Sequence, residues 1–321
     1  MAATFITDVI TEKKPWTHLD FGSCDGDDFN FVIFSDRSGR PQPGIYEDAI
    51  RKVNMMCPEF VMSIGDYVES LCNEDHSEAF FRRQWAHFDE IIAPCRPPFF
   101  YLVGNHDVIA STSPSHDMTE KVWKERFGVT YYYFIRKGVL FLCLNSSEQP
   151  KYGLSDEQTA WALNTIREHA DVRWTMVLIH DPNAWLTDNF KKIEDALYER
   201  NYSVFAGHKH HYALYRRNGR DYYMLGMTGC GDPQPAVPAR GVLYGEFHHL
   251  TWVSFYRGEP HVSLLALDSI YDDGLVTTPK ITWLTAKYFR ADKPLPPEEM
   301  QRLSDKGIRV ANSKFFEDWD E

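Results

Sequence analysis

From Phe29 onward, short apolar runs alternate with longer segments of helical period. A run of five to seven apolar residues bounded by Gly, Asp or Asn reads as a buried strand; apolar positions recurring every three or four residues read as one face of a helix. On that basis FNFVIFSD (29–36), EFVMSIGD (59–66), PFFYLVGNHD (98–107), RWTMVLIHDP (173–182) and NYSVFAGHKH (201–210) are strands with their trailing loops. Helices fall between them. One covers 43–56, with Ile45, Ala49, Ile50, Val53 and Met56 on one face, and another covers 74–92, with Phe80, Phe81, Trp85, Phe88 and Ile92. A shorter helix covers 119–127. Ser155 with Gln158 forms a capping box that opens a helix running to about residue 169, and a further helix covers 191–200.

Three segments read as paired strands. Residues 131–146 fold back around Lys137-Gly138, YALYRRNGRDYYML turns at Asn218-Gly219, and LTWVSFYRGEPHVSLLAL turns near Arg257-Gly258. Helices concentrated early and hairpins late predict an α/β fold with mixed sheets, a sandwich covered by helices rather than a purely parallel doubly wound sheet. No internal repeat, low-complexity stretch or linker interrupts the rhythm, so 29–290 reads as a single domain. Residues 1–28, with Gly22 and Gly26, read as a surface lead-in; residues 291–321, Pro-rich and then acidic, read as a tail packing on the domain.

Composition narrows the function class. Lys and Arg number 34 against 46 Asp and Glu, a formal net charge of −12, which argues against a general nucleic-acid or anionic-membrane binder. Aromatic residues make up 15% of the chain, which favours a rigid, well-filled core. No apolar stretch approaches the length of a membrane-spanning helix, and the opening residues lack the pattern of a signal peptide. The six cysteines include no C-x-x-C pair, and Cys57, Cys95 and Cys143 lie in or beside apolar runs. Reduced, buried thiols in a cytoplasmic protein are expected.

The chemistry sits at the strand ends. FVIFSD ends in Asp36, VMSIGD in Asp66, FFYLVGNHD in Asn105, His106 and Asp107, TMVLIH in His180, and SVFAGHKH in His208 and His210. Open α/β sheets bind ligands beyond the carboxyl ends of their strands, so five such ends can present O and N donors to one cleft. Gly65, Gly104 and Gly207 precede three of the donors and allow close backbone approach. If 208–210 is extended, His208 and His210 point to the same side and Lys209 to the other. Two carboxylates, an amide oxygen and three imidazoles suit Mn, Fe or Zn better than Ca. There is no G-x-S-x-G, no P-loop and no dinucleotide-binding G-x-G-x-x-G after a strand, so serine-hydrolase and nucleotide-binding readings lack support.

These blocks, in this order over roughly 29–211, resemble the calcineurin-like metallophosphoesterase superfamily, whose signatures run D-x-H, G-D, G-N-H-[DE], H and G-H-x-H. The resemblance implies a four-layer sandwich of two mixed β-sheets flanked by helices. It implies two divalent or trivalent metal ions and a small phosphorylated substrate, a phosphomonoester or phosphodiester cleaved by in-line attack of a metal-bound hydroxide. Carried over by position, Asp66 bridges the metals, Asp36 and His210 hold the first, and Asn105, His180 and His208 complete the second. His106 sits beside the phosphate, which Asn105 also contacts, and protonates the leaving oxygen.

The first signature departs from the family: Asp36-Arg37-Ser38-Gly39 places a serine where a histidine ligand belongs, leaving the first site weak or empty. Glu69, three residues after the bridging Asp66, ligates that metal in compensation, orients His106, or is a solvated loop carboxylate. Arg37 or Arg40 contacts the substrate phosphate, or both are solvated. One of His248 and His249 replaces the lost ligand, or one faces the core and the other solvent. The alternative to a phosphoesterase is a metal-binding, catalytically weak interaction module with an incomplete first metal site.

Overall fold

The computed structural model describes residues 5–22, 26–70, 75–148, 153–231, 247–267 and 270–272. Two mixed sheets face one another. The first is ordered β1 (Phe5–Thr7), β5 (Tyr132–Arg136), β6 (Val139–Leu144), β7 (Trp174–Ile179), β8 (Tyr202–Ala206), β10 (Arg220–Met224) and β9 (Ala213–Arg217). The second is ordered β13 (Ile270–Asp272), β12 (Glu259–Ala266), β11 (His249–Tyr256), β2 (Phe29–Phe34), β3 (Phe60–Ser63) and β4 (Phe99–Phe100). Strands β6, β7, β8 and β10 are mutually parallel, as are β2, β3 and β4; antiparallel strands complete both sheets.

Period-two alternation sorts the apolar residues into layers. Phe31 and Ile33 of β2 point into the space between the sheets, with Phe60, Phe141, Met176 and Phe205. Val32 and Phe34 point outward onto Tyr46, Ile50 and Val53 of α1 (Ile45–Met56), Trp85 and Phe88 of α2 (Glu78–Ile92) and Trp123 of α3 (His116–Phe127). The outer face of the first sheet, with Leu142, Val177 and Val204, is covered by Ala162 and Ile166 of α4 (Asp156–Glu168) and by Ile193 and Leu197 of α5 (Asp188–Leu197). The result is helix, sheet, sheet, helix, the four-layer sandwich expected. The aromatic residues fill its centre: Phe31 stacks on Phe60 at 5.0 Å and meets Phe141 edge-on at 5.2 Å.

Each expected hairpin turn forms, with both central residues at positive φ: Lys137 and Gly138 at 47° and 72°, Asn218 and Gly219 at 51° and 72°, and Arg257 and Gly258 at 53° and 90°. Helix α5 starts earlier than expected because the Thr187 side chain accepts a hydrogen bond from the Phe190 N–H and caps it. Ser155 caps α4 by accepting from the Gln158 N–H. The reciprocal half of the capping box is absent, because the Gln158 amide pairs with the Asn145 backbone instead.

Two expectations are corrected. The strand read over 98–107 pairs only at Phe99 and Phe100, after which the chain bends toward the site. The opening segment is not a surface lead-in. It supplies β1 to one sheet and then lines the edge of β4 in the other, where Tyr101 N–H donates to Pro15 O at 2.8 Å and Thr17 N–H to Phe99 O at 3.0 Å. Its apolar residues explain the difference, since Phe5, Val9, Trp16 and Phe21 all pack on the core between the sheets. Cys143 and Cys230 are buried, Cys95 is half-buried and Cys57 is exposed, against expectation, just past the end of α1. Cys24, Cys72 and the tail over 291–321 lie outside the described residues. No helix among the described residues is long and apolar enough to cross a membrane.

Candidate metal centre

The carboxyl ends of β2, β3 and the β4 segment, from one sheet, meet those of β7 and β8 from the other. This convergence forms two donor groups that share one carboxylate: Asp66 with His180 and His208, and Asp36 with Asp66 and His210. His180 Nε2 lies 3.2 Å from Asp66 Oδ2 and 2.8 Å from Asn105 Oδ1, and His208 Nδ1 lies 2.7 Å from the same Asn105 oxygen. His210 Nε2 lies 3.3 Å from Asp36 Oδ2. All six residues singled out as ligands are therefore brought together.

The local backbone explains how. Asp66, His208 and His210 all adopt the left-handed conformation, with φ of 64°, 70° and 56°. Each costs roughly 1–3 kcal/mol, a strain that persists only where the surroundings impose it. Residues 208–210 are thus a tight turn, not the extended segment expected; Lys209 N–H closes it onto Gly207 O at 2.8 Å. Glycine is required beside the carboxylates. A Cβ on Gly104 would lie 2.2 Å from Asp66 Oδ1, and one on Gly207 would lie 2.4 Å from Asp36 Oδ1.

Hydrogen bonds hold the donors in place. Asp36 accepts from the Ser35 hydroxyl at 2.9 Å and the His208 N–H at 2.8 Å. Asp66 accepts from the His106 N–H at 2.9 Å. The Ile64 carbonyl faces His180 Nδ1 at 2.8 Å, which puts a ring proton there and turns Nε2 toward the donors. Asp107, the last letter of G-N-H-D, takes no place in either group. It accepts from the N–H groups of Asp66, Tyr67 and Gly104 at 2.6, 2.9 and 2.9 Å and staples the two ligand loops together.

Residues 3–224 match the sequence pattern of the calcineurin-like phosphoesterases. The chain belongs to that family. No curated protein matches it in sequence. Among solved structures the chain is similar to a purple acid phosphatase from yellow lupin (Lupinus luteus) seeds, with a TM-score of 0.56, 14% identity, 76% of this chain and 53% of that one covered. The chain thus spans about half the length of the lupin enzyme. It is also similar to GAP50, the anchor in the inner membrane complex of Plasmodium (TM-score 0.49, 12% identity, 84% and 98% covered). A third similar structure is the 5'-nucleotidase of Candida albicans (0.42, 15%, 91% and 59%).

The donor set of this chain fits the divalent metals its family uses. Asp36, Asp66 and His180 are almost wholly buried, and within each donor group the ligand atoms lie within 4.8 Å of one another. Such a cluster needs protons or cations to hold it. Without a cation, protons do that work. Burial opposes charge on His180, yet Asp66 outweighs it and pushes the imidazole up to about 10. Asp66 in turn sits well below the usual carboxylate range, because His180 and His106 overcome the cost of its burial. His208 is pushed well down by burial and by the His180 charge, so its ring is neutral, as a ligand must be.

Glu69 belongs to neither donor group and is only 7% exposed, so it is no solvated loop carboxylate. Its Oε2 accepts from the N–H groups of Gly39 and Arg40, both at 2.9 Å, and its Oε1 faces His106 Nδ1 at 3.2 Å. Ser38 is fully buried and its hydroxyl has no hydrogen-bond partner among the described residues. Arg37 is buried, its Nη1 donates to Tyr67 O at 2.6 Å and its guanidinium lies over the Phe88 ring, contacts that hold it within the fold. His249 is buried against Phe247 and Tyr212, and His248 faces Gln42 at 3.3 Å, so neither replaces the missing ligand. Asp181, which sequence reasoning passed over, is fully buried with Oδ2 3.2 Å from His208 Nε2; its position directly after His180 was the available signal.

Proposed function

We propose that the chain hydrolyses a small phosphomonoester or phosphodiester with two cations, Mn, Fe or Zn, of which the first is held more weakly. The observation that carries this reading is the pair of donor groups joined through Asp66. Asp36, Asp66 and His210 would hold the first ion; Asp66, Asn105, His180 and His208 would hold the second. Bound there, the ions supply Lewis acidity at the phosphoester oxygens and an activated water for in-line attack.

The side chains supply the rest. Glu69 fixes the His106 ring through Nδ1 and leaves Nε2 for the leaving oxygen. Burial disfavours the imidazolium, but Asp66 and Glu69 outweigh it and raise the His106 pKa, so the ring holds a proton to donate. With Asn105 Oδ1 directed at His180 and His208, its Nδ2 is free to meet a phosphate oxygen. Ser38 leaves the first ion with three protein donors, which supports unequal affinities and keeps the alternative of a catalytically weak binding module in play. The Glu69–His106 pair supports hydrolysis, because a binding module needs no oriented proton donor. A cytoplasmic location is part of the same proposal, supported by the free thiols of the four described cysteines.

Metal content by element-resolved mass spectrometry, alongside turnover of p-nitrophenyl phosphate and its bis-ester in Mn, tests the reading. Asp66→Asn and His208→Ala are expected to abolish turnover and lower metal content. Full activity in either variant overturns the assignment. Bound metal with no turnover of any ester establishes the binding module instead.

A further inference from the structure

We infer that Asp181 is a positioning residue that fixes the ring of His208 for metal binding through Nδ1. The inference rests on the metal centre proposed above and adds to it a residue outside both donor groups. It follows from proton accounting at a single imidazole. Nδ1 of His208 faces the cluster, 2.7 Å from Asn105 Oδ1, and Nε2 faces away from it, 3.2 Å from Asp181 Oδ2. A neutral imidazole has one N–H. If Nδ1 gives its lone pair to a metal, that N–H must sit on Nε2, and an acceptor there selects this tautomer and makes Nδ1 more basic.

Asp181 is built for that task. It is fully buried, and its Oδ2 makes no hydrogen bond among the described residues; its nearest polar neighbour given by the structure is His208 Nε2 at 3.2 Å. Its remaining polar atoms are spent on holding it still. The Asp181 N–H donates to the Ser146 hydroxyl at 3.1 Å, and Oδ1 accepts from the Asn183 N–H at 2.8 Å, capping the short helix Pro182–Leu186. An unpaired carboxylate oxygen this deeply buried is costly, and a small turn of the His208 ring, with its proton on Nε2, would give it a partner. The two histidines of the second site are therefore oriented differently, His180 by the Ile64 carbonyl and His208 by a carboxylate. One stretch of chain, His180-Asp181, supplies a ligand and the orienter of the next ligand.

Asp181→Asn separates this role from the structural one. The isosteric amide keeps Oδ1 on the helix cap but turns an NH₂ toward His208 Nε2, which favours the opposite tautomer. Calorimetric titration of the metal-free protein with Mn and with Zn is expected to show the second site weakened by about 10–100-fold, with the thermal midpoint of the metal-free protein unchanged. In the Zn-loaded parent, where Nδ1 is on the metal, ¹H–¹⁵N spectra are expected to show the His208 Nε2–H shifted downfield by its carboxylate neighbour, and in the Zn-loaded variant to show that shift lost. Adding Asp181→Asn to His208→Ala is expected to cause no further loss of affinity. An affinity within about threefold of the parent, or an unchanged Nε2–H resonance, overturns the role of Asp181 while leaving the metal centre standing. A parent that binds neither ion overturns the centre and the role of Asp181 with it.

Discussion

Asp66 and Asp36 reach their positions only because glycine stands opposite each of them. A Cβ at Gly104 or Gly207 would fall within 2.4 Å of a carboxylate oxygen, too close for the side chain to stay where it is. At Gly207 the clash is with side chains alone, so Gly207→Ala is expected to fold but to lose metal in element-resolved mass spectrometry, and an unchanged metal content would show that the Asp36 carboxylate has other room. His106 makes a different prediction, since it is in neither donor group. His106→Asn is expected to keep the metal content and lower kcat on p-nitrophenyl phosphate by about 10²–10⁴-fold, the range that general acid catalysis supplies. Glu69→Gln is expected to lower kcat less, because the amide still accepts from Gly39 and Arg40. These ligands were legible in the sequence because each follows a strand with its own short motif. Asp107, Arg37 and Asp181 were not. A carboxylate on three backbone donors and one on a metal look alike in a string of letters, and an arginine beside a ligand gives no sign that it turns back onto a carbonyl and a phenyl ring.

At the scale of elements, alternation and turn chemistry carried most of the information. Buried strands with an aspartate or histidine at their ends, and three turns of the X-Gly type, predict a mixed-sheet sandwich with its donors at the strand ends; the count of two sheets came from the resemblance to the family. What alternation did not reveal was partner choice. The segment over 5–17 is too short and mixed to read as a strand, and it becomes one only because β5 and β4 offer unpaired edges. Strand β11 shows a related effect with a measurable consequence. His249 is buried against Phe247 and Tyr212, and burial pushes its imidazole down to about 4 from an ordinary value near 6.5. The folded state thus binds a proton later than the unfolded chain does. The stability this residue permits is whole above pH 6.5 and is lost as the pH falls toward 4, by up to about 3 kcal/mol. In urea unfolding of the metal-free protein, His249→Phe is expected to lose less stability than the parent across that window. Equal losses would mean that His249 is not what titrates.

Across the whole molecule, the two sheets are joined at opposite ends by different means. At the carboxyl ends of their parallel strands they share the donor groups around Asp66. At the amino end of β3 they share a buried ion cluster. Glu59, fully buried, lies 2.5 Å from Arg136 Nε at the end of β5 and 2.9 Å from Lys137 Nζ in the β5–β6 turn. Lys137 also donates to Asp28 O at 3.2 Å, and the Arg136 guanidinium covers the Phe21 ring at 4.3 Å. The cluster therefore binds the second sheet, the first sheet and the opening segment at one point. Removing only the acid leaves two cations buried together, a loss of about 3–5 kcal/mol for a broken buried pair. Six residues, four of them in β3, separate Glu59 from Asp66 over about 20 Å, so the loss stays away from the metal centre. Glu59→Gln is accordingly expected to lower the urea midpoint sharply while leaving Mn affinity in the folded protein as it was. A fall in both would mean that the two ends of the sandwich are mechanically coupled and that the site depends on how the sheets are held apart. A fall in neither would mean that the aromatic layer of Phe31, Phe60 and Phe141 alone fixes the spacing of the sheets, with the ions contributing nothing to it.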